Sequence, residues 1–104
     1  MNSKILNLMQ FARKAGKVIS GLDACVRGLN RHIVLLLVVA EDTSIRTQNM
    51  ILRANENSPS PVKVITTGKQ KEISDALGLP ITGVFGISDK NFAAKIQEYW
   101  LAEA

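Results

Sequence analysis

The chain has 104 residues, a mass of 11.4 kDa and a formal net charge of +4, with 46% hydrophobic and 21% charged residues. This composition predicts one folded domain over residues 1–104 and excludes a collagen-like, globally disordered or disulfide-rich protein. The longest apolar run, Ile33–Ala40, is far shorter than the ~20 residues that cross a bilayer, so we expect a cytoplasmic protein with no membrane contact.

The N-terminal part of the chain predicts two helices followed by a buried strand. Apolar residues recur with helical spacing over residues 2–14 and again over about 21–30, where Ser20 is the expected N-cap. A short extended segment, residues 17–19, separates the two helices. The valine-rich run Ile33–Val39 predicts a central strand covered on both faces.

A third helix is predicted after this strand, where Asp42, Thr43 or Ser44 can cap it. Four residues spaced three or four positions apart form its expected buried face: Thr47, Met50, Ile51 and Ala54.

The C-terminal part predicts strand, helix, strand and helix. Val62–Ile65 has strand composition, and the capping-box spacing of Thr67 and Gln70 predicts a short helix that ends at Gly78. A last strand follows, and Ser88 is the expected cap of the final helix. That helix carries four apolar or aromatic residues for closure of the core: Phe92, Ile96, Tyr99 and Trp100. The alternation predicts the α/β class, with about four short strands in one mixed or mostly parallel sheet.

No complete catalytic or cofactor motif is present in the sequence. Gly-x-Gly-x-x-Gly is absent, and Thr66–Gln70 shares only its Gly-Lys pair with the phosphate-binding P-loop. Glu41 and Asp42 follow the central strand, where α/β enzymes often place a metal or a catalytic group. We favour the simpler interpretation that these acids cap a helix N-terminus, and we predict no catalytic residue and no cofactor.

The single cysteine and the single histidine also favour a structural interpretation. Cys25 lies on the apolar stripe of the second helix, so we predict an inert buried side chain. His32 precedes the central strand without a second histidine, which indicates a loop residue. Because one cysteine and one histidine leave few metal ligands, we expect no metal site.

Cationic side chains concentrate in one half of the chain. Residues 1–54 carry eight Lys or Arg against three Asp or Glu, whereas residues 55–104 carry five against six. The basic segment Arg13–Lys17 precedes a helix start at Gly21. Clustered cations beside free helix N–H groups predict a phosphate-binding surface, with an ordinary solvated face as the alternative.

Three segments carry a resemblance that covers nearly the whole chain: Phe11–Gly21, Val38–Asp42 and Leu77–Val84. They resemble, at matching spacing, the YlxQ-type members of the ribosomal protein seven-Ae and thirty-e family. The resemblance implies a three-layer α-β-α sandwich with a four-stranded mixed sheet. It also implies non-catalytic binding of RNA kink-turns or related internal loops, which are sharply bent and carry tandem G·A pairs beside a bulge.

The resemblance further implies a binding site. In kink-turn binders the helix start reads Gly-x-Asn-Glu, with a lysine four residues after the asparagine; here Asp23, Ala24 and Arg27 occupy those three positions. An asparagine amide donates and accepts hydrogen bonds, whereas an aspartate only accepts them and repels phosphate. With the apolar loop that packs on the extruded nucleotide, the predicted RNA-binding residues are Lys14, Lys17, Gly21, Leu22, Asp23, Arg27, Leu79, Pro80, Ile81, Thr82 and Gly83.

The expected partner is RNA, either ribosomal RNA or another structured RNA, with ribosomal or RNA-modifying proteins as further partners. Two alternatives stay open. The first is a protein–protein interaction adaptor of the same fold, whose binding would be insensitive to the charges of Lys14, Lys17 and Arg27. The second is an RNA-recognition subunit that acts with a separate RNA-modifying enzyme.

Overall fold

The computed structural model describes residues 1–103, which form five helices and four strands. In chain order these are α1 (Ser3–Lys14), β1 (Val18–Ser20), α2 (Leu22–Asn30), β2 (Leu36–Val39), α3 (Ile45–Glu56), β3 (Lys63–Thr66), α4 (Gln70–Leu77), β4 (Val84–Ile87) and α5 (Lys90–Ala102). Every predicted element is present, so the apolar spacing identified the α/β class correctly.

The four strands form one mixed sheet in the order β1-β4-β2-β3. β2 runs parallel to β3, whereas β4 is antiparallel to both β1 and β2. All four residues of β2 are buried, as predicted for a central strand, but the strand begins at Leu36 rather than at Ile33. The backbone N–H groups of Ile33 and Val34 instead donate to the Gly28 carbonyl oxygen, over 2.8 and 3.3 Å, and close the end of α2.

Helices cover both faces of the sheet and make it the middle of three layers. Leu36 and Val38 pack into a core shared with α1, α4 and α5, whereas Leu37 and Val39 pack into a second core shared with α2 and α3. This separation follows from the alternation of side chains along a strand. The three-layer α-β-α sandwich is confirmed.

Two predicted N-caps are wrong because the sheet extends one residue further than the sequence pattern indicated. Ser20 pairs with Phe85 as the last residue of β1, and Gly21 is the N-cap of α2. The N–H of Ser88 donates to the backbone just before β1, over 2.9 Å, and the side chain of Asp89 caps α5. A residue whose backbone belongs to a strand ladder is not free to take the capping position.

Of the N-caps predicted for α3 and α4, the first is correct and the second is wrong. Ser44, one of three candidates, caps α3 through its side-chain oxygen. Thr67 does not cap α4, because its N–H continues the β3 ladder to the Val39 carbonyl oxygen over 3.0 Å. Lys69 is the N-cap residue, and its backbone N–H donates to the Glu72 carboxylate over 3.4 Å. Gly78 ends α4 in the left-handed conformation, as predicted.

The predicted buried face of α3 is wrong at Met50. Ile51 is fully buried, but Met50 is 48% exposed, and the buried residue one turn after Ile51 is Asn55. Asn55 is satisfied by two hydrogen bonds to the backbone of Val62, of 2.8 and 2.9 Å. A polar residue therefore ties the end of α3 to the approach of β3.

Helix α5 closes the core as predicted, with Ile96 buried and Phe92, Tyr99 and Trp100 packed against the same apolar cluster. Within residues 1–103, no helix combines the length and the apolar character needed to cross a membrane.

Candidate nucleic-acid interface

The start of α2 is open toward solvent and has no side-chain cap. Gly21 is the N-cap with φ +95° and ψ 153°, and no side chain hydrogen-bonds the first turn. The left-handed backbone at residue 21 favours glycine, since a Cβ is strained there. Uncapped N–H groups and the positive end of the helix dipole attract anions. This end of α2 can therefore receive a phosphate or another hydrogen-bond acceptor.

The loop before β4 is held by hydrogen bonds from two neighbouring elements. The Ser74 hydroxyl donates to the Thr82 carbonyl oxygen over 3.2 Å and accepts from the Thr82 N–H over 3.1 Å. The carbonyl oxygen of Gly83 accepts from the Ala40 N–H and from the Thr43 hydroxyl, over 2.8 and 3.2 Å. The loop thus has a fixed shape on the surface of the domain.

The loop presents two apolar side chains to solvent. Ile81 is 64% exposed at the loop tip, and Pro80 beside it is exposed as well. Leu79 turns the other way and packs against the core shared with α1, α4 and α5. Of the predicted apolar contacts in this loop, Ile81 and Pro80 are accessible to a ligand, and Leu79 supports the loop from below.

A backbone hydrogen bond joins the two parts of the predicted site. The N–H of Gly21 donates to the carbonyl oxygen of Val84 over 2.9 Å, because β1 and β4 pair antiparallel. The start of α2 therefore lies directly beside the end of the loop. The structure brings together the predicted residues of both segments: Gly21, Leu22, Asp23, Thr82 and Gly83.

A groove between α2 and α3 continues this surface. It has a volume of about 590 Å³, and its walls carry Asp23 and Arg27 from α2 and Arg53 from α3. In the sequence, Arg53 is one of the eight cations of residues 1–54. Nothing in the sequence places it opposite Arg27, because that proximity arises from the packing of α3 beside α2. The presence of two arginines from different helices in one groove is a feature that the sequence did not predict.

Lys14 and Lys17 are not at the same end of the sheet as Gly21. Lys17 precedes β1 and its carbonyl oxygen accepts from the Ser88 N–H, at the end of β4 opposite to Val84. The four residue steps from Lys17 to Gly21 span roughly 13 Å at ~3.3 Å per residue of extended strand. The predicted site therefore divides into two surfaces, with Lys14 and Lys17 on the second one.

The acidic pair after β2 stabilises α4 rather than α3. The Asp42 carboxylate accepts from the Gln70 backbone N–H over 2.9 Å, and the Gln70 side chain donates to the Asp42 carbonyl oxygen over 2.9 Å. Glu41 forms a 3.3 Å salt bridge with Lys69. The capping prediction is confirmed for Asp42, with α4 as the helix that it caps, whereas Glu41 forms an ion pair and caps no helix N–H.

The remaining candidates for chemistry are a buried thiol and an exposed imidazole. Cys25 is fully buried on the inner face of α2, and burial raises the pKa of its thiol from 9.0 to about 12. His32 lies in the exposed turn after α2 with φ +60°. In the part of the chain that the structure describes, no three His, Cys, Asp or Glu side chains cluster closely enough to share a metal ion.

A mixed four-stranded sheet between layers of three and two helices, with an open helix start beside a hydrogen-bonded loop, defines a known class of α-β-α domain. The chain belongs to the Ribosomal protein L7Ae/L30e/S12e/Gadd45 family, which it matches over residues 3–97. The resemblance stated from the sequence is confirmed.

Individual relatives share most of the chain. The RNA-binding protein YlxQ of Enterococcus faecium is 30% identical over 95 residues, which cover 91% of this chain and 89% of the relative. A protein of unknown function from Bacillus halodurans has a similar structure, with a TM-score of 0.85, 23% identity, and coverage of 93% of this chain and 96% of its own. The Giardia lamblia 15.5kD RNA binding protein has a TM-score of 0.74 and 20% identity, with 100% and 93% coverage. These two structures are evidence for the fold.

Proposed function

We propose that this protein is a non-catalytic RNA-binding protein that holds bent, structured RNA between the start of α2 and the loop before β4. The ligand class is a kink-turn or a related internal loop, in ribosomal RNA or in another structured RNA. The observation that carries the proposal is the Gly21–Val84 hydrogen bond, which sets an uncapped helix start beside the end of a loop whose apolar tip is exposed. The relative from Enterococcus faecium, named an RNA-binding protein, supports the same ligand class.

Two kinds of contact are expected at this surface. The N–H groups after Gly21 and the guanidinium of Arg27 meet phosphates, which supply most of the affinity of a protein for RNA. Ile81 and Pro80 shelter a base that has left its stack at the bulge, because an exposed apolar loop can cover the face of such a base. Sharply bent RNA offers crowded phosphates and an unstacked base within one small region.

Asp23 and Ala24 are the points at which this chain departs from the kink-turn pattern. Asp23 is exposed at the start of α2, where a carboxylate accepts hydrogen bonds from base N–H groups but cannot donate to a purine acceptor. Ala24 supplies no polar group at all. We propose that the chain selects bent RNA chiefly by shape and phosphate position, with less base readout than Asn and Glu would provide.

The test compares two RNAs with the full-length protein at several salt concentrations. One is a kink-turn RNA, and the other is the same RNA with its G·A pairs replaced by Watson–Crick pairs. We expect tight, salt-sensitive binding to the first and binding at least tenfold weaker to the second. Equal affinity for both RNAs contradicts the proposed selectivity for bent RNA.

A matched pair of variants assigns the site. Arg27→Gln removes a cation at the proposed interface, and Lys63→Gln removes one at the start of β3, away from it. We expect only the first change to weaken binding of the kink-turn RNA. Absence of RNA binding in the unmodified protein overturns the proposal and leaves a protein partner as the ligand to seek.

We propose that the protein acts in the cytoplasm together with ribosomal or RNA-modifying proteins, and its membership of a family that includes ribosomal proteins supports this proposal. Co-sedimentation of the protein with ribosomal particles, disrupted by Arg27→Gln, is the expected sign of a ribosomal RNA ligand.

A further inference from the structure

An exposed aromatic ring marks the second basic surface. Phe11 lies on the outer side of α1 and is 59% exposed, although the same helix buries Ile5, Met9 and Ala12 completely. Its ring therefore contributes little to the core. Single exposed apolar side chains are common on protein surfaces, so the significance of this ring depends on the side chains that line the groove beside it.

Two cations, Arg13 and Lys14, line the same groove as this ring. Lys14 follows Phe11 by three residues and so shares its helix face, while Arg13 lines the same groove from another part of the α1 surface. The turn after α1 then reverses the chain: the Lys17 N–H donates to the Ala12 carbonyl oxygen over 2.8 Å, which returns Lys17 to the last helical turn.

The charge of this region is not neutralised by the protein itself. Within residues 1–103, the salt bridges involve none of Arg13, Lys14 and Lys17. The groove beside Phe11 is lined by α1 and the end of α4 and has a volume of about 390 Å³. No Asp or Glu lines it, and Asn7 supplies an amide at its wall.

The groove has a fixed floor. The Gln10 side chain donates to the Ala76 carbonyl oxygen over 3.3 Å and joins α1 to α4, with Leu77 buried beside it. The volume is within the range of ~300–1,000 Å³ typical of small-ligand sites. A flat ring, an apolar floor, an amide and unpaired cations match the base, the base edge and the phosphates of a nucleotide.

We propose that this Phe11 surface, formed by Asn7, Phe11, Arg13 and Lys14 in the groove and by Lys17 in the turn after α1, binds a single-stranded RNA segment by stacking one base on Phe11. It is a second RNA contact, separate from the start of α2, and it gives Lys14 and Lys17 a role that the first site does not. The choice of RNA as ligand rests on the proposed function, but the binding surface is independent of Gly21 and the loop before β4. Charge complementarity favours RNA, since the groove lining is cationic and lacks acids.

The experiment uses the full-length protein and single-stranded octa-adenylate at low salt, with affinity measured by fluorescence anisotropy. Phe11→Leu keeps an apolar side chain but removes the aromatic face, and Leu101→Ala, at another exposed apolar residue, is its control. We expect Phe11→Leu to weaken binding by about 5- to 150-fold, as for the loss of one stacked base, and Leu101→Ala to leave it unchanged. The ring protons of Phe11 should also shift upfield in NMR spectra when the RNA is added.

Charge variants distinguish binding at the Phe11 surface from binding at the start of α2, and an anionic peptide distinguishes RNA binding from attraction of any polyanion. We expect Lys14→Gln to weaken octa-adenylate binding and Arg27→Gln to leave it intact. For kink-turn RNA we expect the opposite, with weaker binding by Arg27→Gln and unchanged binding by Lys14→Gln. Octa-adenylate binding that is absent, unaffected by Phe11→Leu, or equalled by an octaglutamate peptide overturns the second surface. Loss of kink-turn recognition alone, with Phe11-dependent binding of octa-adenylate retained, refutes the proposed function and supports this inference.

Discussion

The hydroxyl of Thr43 donates a 3.2 Å hydrogen bond to the carbonyl oxygen of Gly83, and the Thr43 side chain fills the space beside the Gly83 α-carbon. The loop before β4 and the loop after β2 are thereby locked together at the end of the sheet where α2 begins. A Cβ added at residue 83 would overlap the Thr43 hydroxyl oxygen, and both residues are buried.

Gly83→Ala should lower the free energy of unfolding by about 1–3 kcal/mol, the typical cost of inserting a methyl group into filled space. Urea unfolding followed by circular dichroism measures the change. Thr43→Ala alone loses one hydrogen bond and should cost about 0.5–1.5 kcal/mol. The double variant should lose less unfolding free energy than the two single variants lose together, because the smaller side chain at residue 43 leaves room for the new methyl group. Strict additivity would contradict this close packing.

Asp23→Asn should raise the affinity for kink-turn RNA by about fivefold. The substitution removes a negative charge beside the expected phosphate path, and unit charges ~4 Å apart in water interact by about 1 kcal/mol. It also gives the side chain a donor for a purine acceptor. Glu98→Gln on α5 makes the same charge change away from the site and should raise affinity much less. Weaker RNA binding by Asp23→Asn would show that the carboxylate itself accepts a hydrogen bond from the ligand.

Arg53→Gln should reduce the salt dependence of kink-turn RNA binding. Arg27 from α2 and Arg53 from α3 line the same groove, so each of the two cations can meet a phosphate of an RNA that lies along it. Each phosphate that is no longer neutralised by a protein cation lowers the slope of log affinity against log salt by about one unit. Titrations at four or more salt concentrations measure the slope, with Lys63→Gln as the matched control. A slope identical to that of the unmodified protein would confine the RNA to the α2 side of the groove.

The Cys25 thiol should resist alkylation in the folded protein at pH 8 and react once the protein is unfolded in urea. Its pKa is raised to about 12 by burial, so the reactive thiolate is scarce below that pH. Iodoacetamide labelling followed by mass spectrometry makes this comparison. Rapid labelling under native conditions would contradict the burial of Cys25.

The same raised pKa predicts a loss of stability in alkaline solution. In the unfolded chain the thiol ionises near pH 9.0, whereas in the folded chain it keeps its proton to about pH 12. Stability is therefore unaffected by this group below pH 9 and falls as the pH rises from 9 to 12, by up to about 1.4 kcal/mol per unit. Cys25→Ala removes this contribution, so the difference in unfolding free energy between the two proteins should narrow across that pH range.

Element order and the positions of both cores followed from apolar spacing, because buried residues such as Ile51 and Ile96 recur with the period of their element. Cap positions were less predictable. Ser20 and Ser88 are good capping residues by type, but their backbone groups belong to strand ladders formed with distant parts of the chain. Local residue preference gives no information about such pairings.

The candidate site was predictable only where one short segment contains it. The family resemblance of their segments indicated Gly21 and the loop ending at Gly83 as site residues, and β1–β4 pairing brings the two segments together. Lys17 is only four residues from Gly21, yet an extended strand separates them in space. Conversely, Arg53 is distant in sequence from Arg27 but lines the same groove. The extended direction of β1 separates Lys17 from Gly21, and the packing of α3 beside α2 brings Arg53 near Arg27.

The hydrogen bonds that Ser74 and Thr43 make to the loop before β4 also determine which binding partner loses conformational entropy when a complex forms. A loop already fixed by the folding of the domain has little conformational freedom left to lose when a ligand arrives. Under the proposed function, an RNA that is mostly straight in solution must then supply the bent state itself, and its apparent affinity falls in proportion to the fraction of molecules that are bent. Magnesium ions or neighbouring proteins that favour the bend would consequently act as positive effectors without touching this protein.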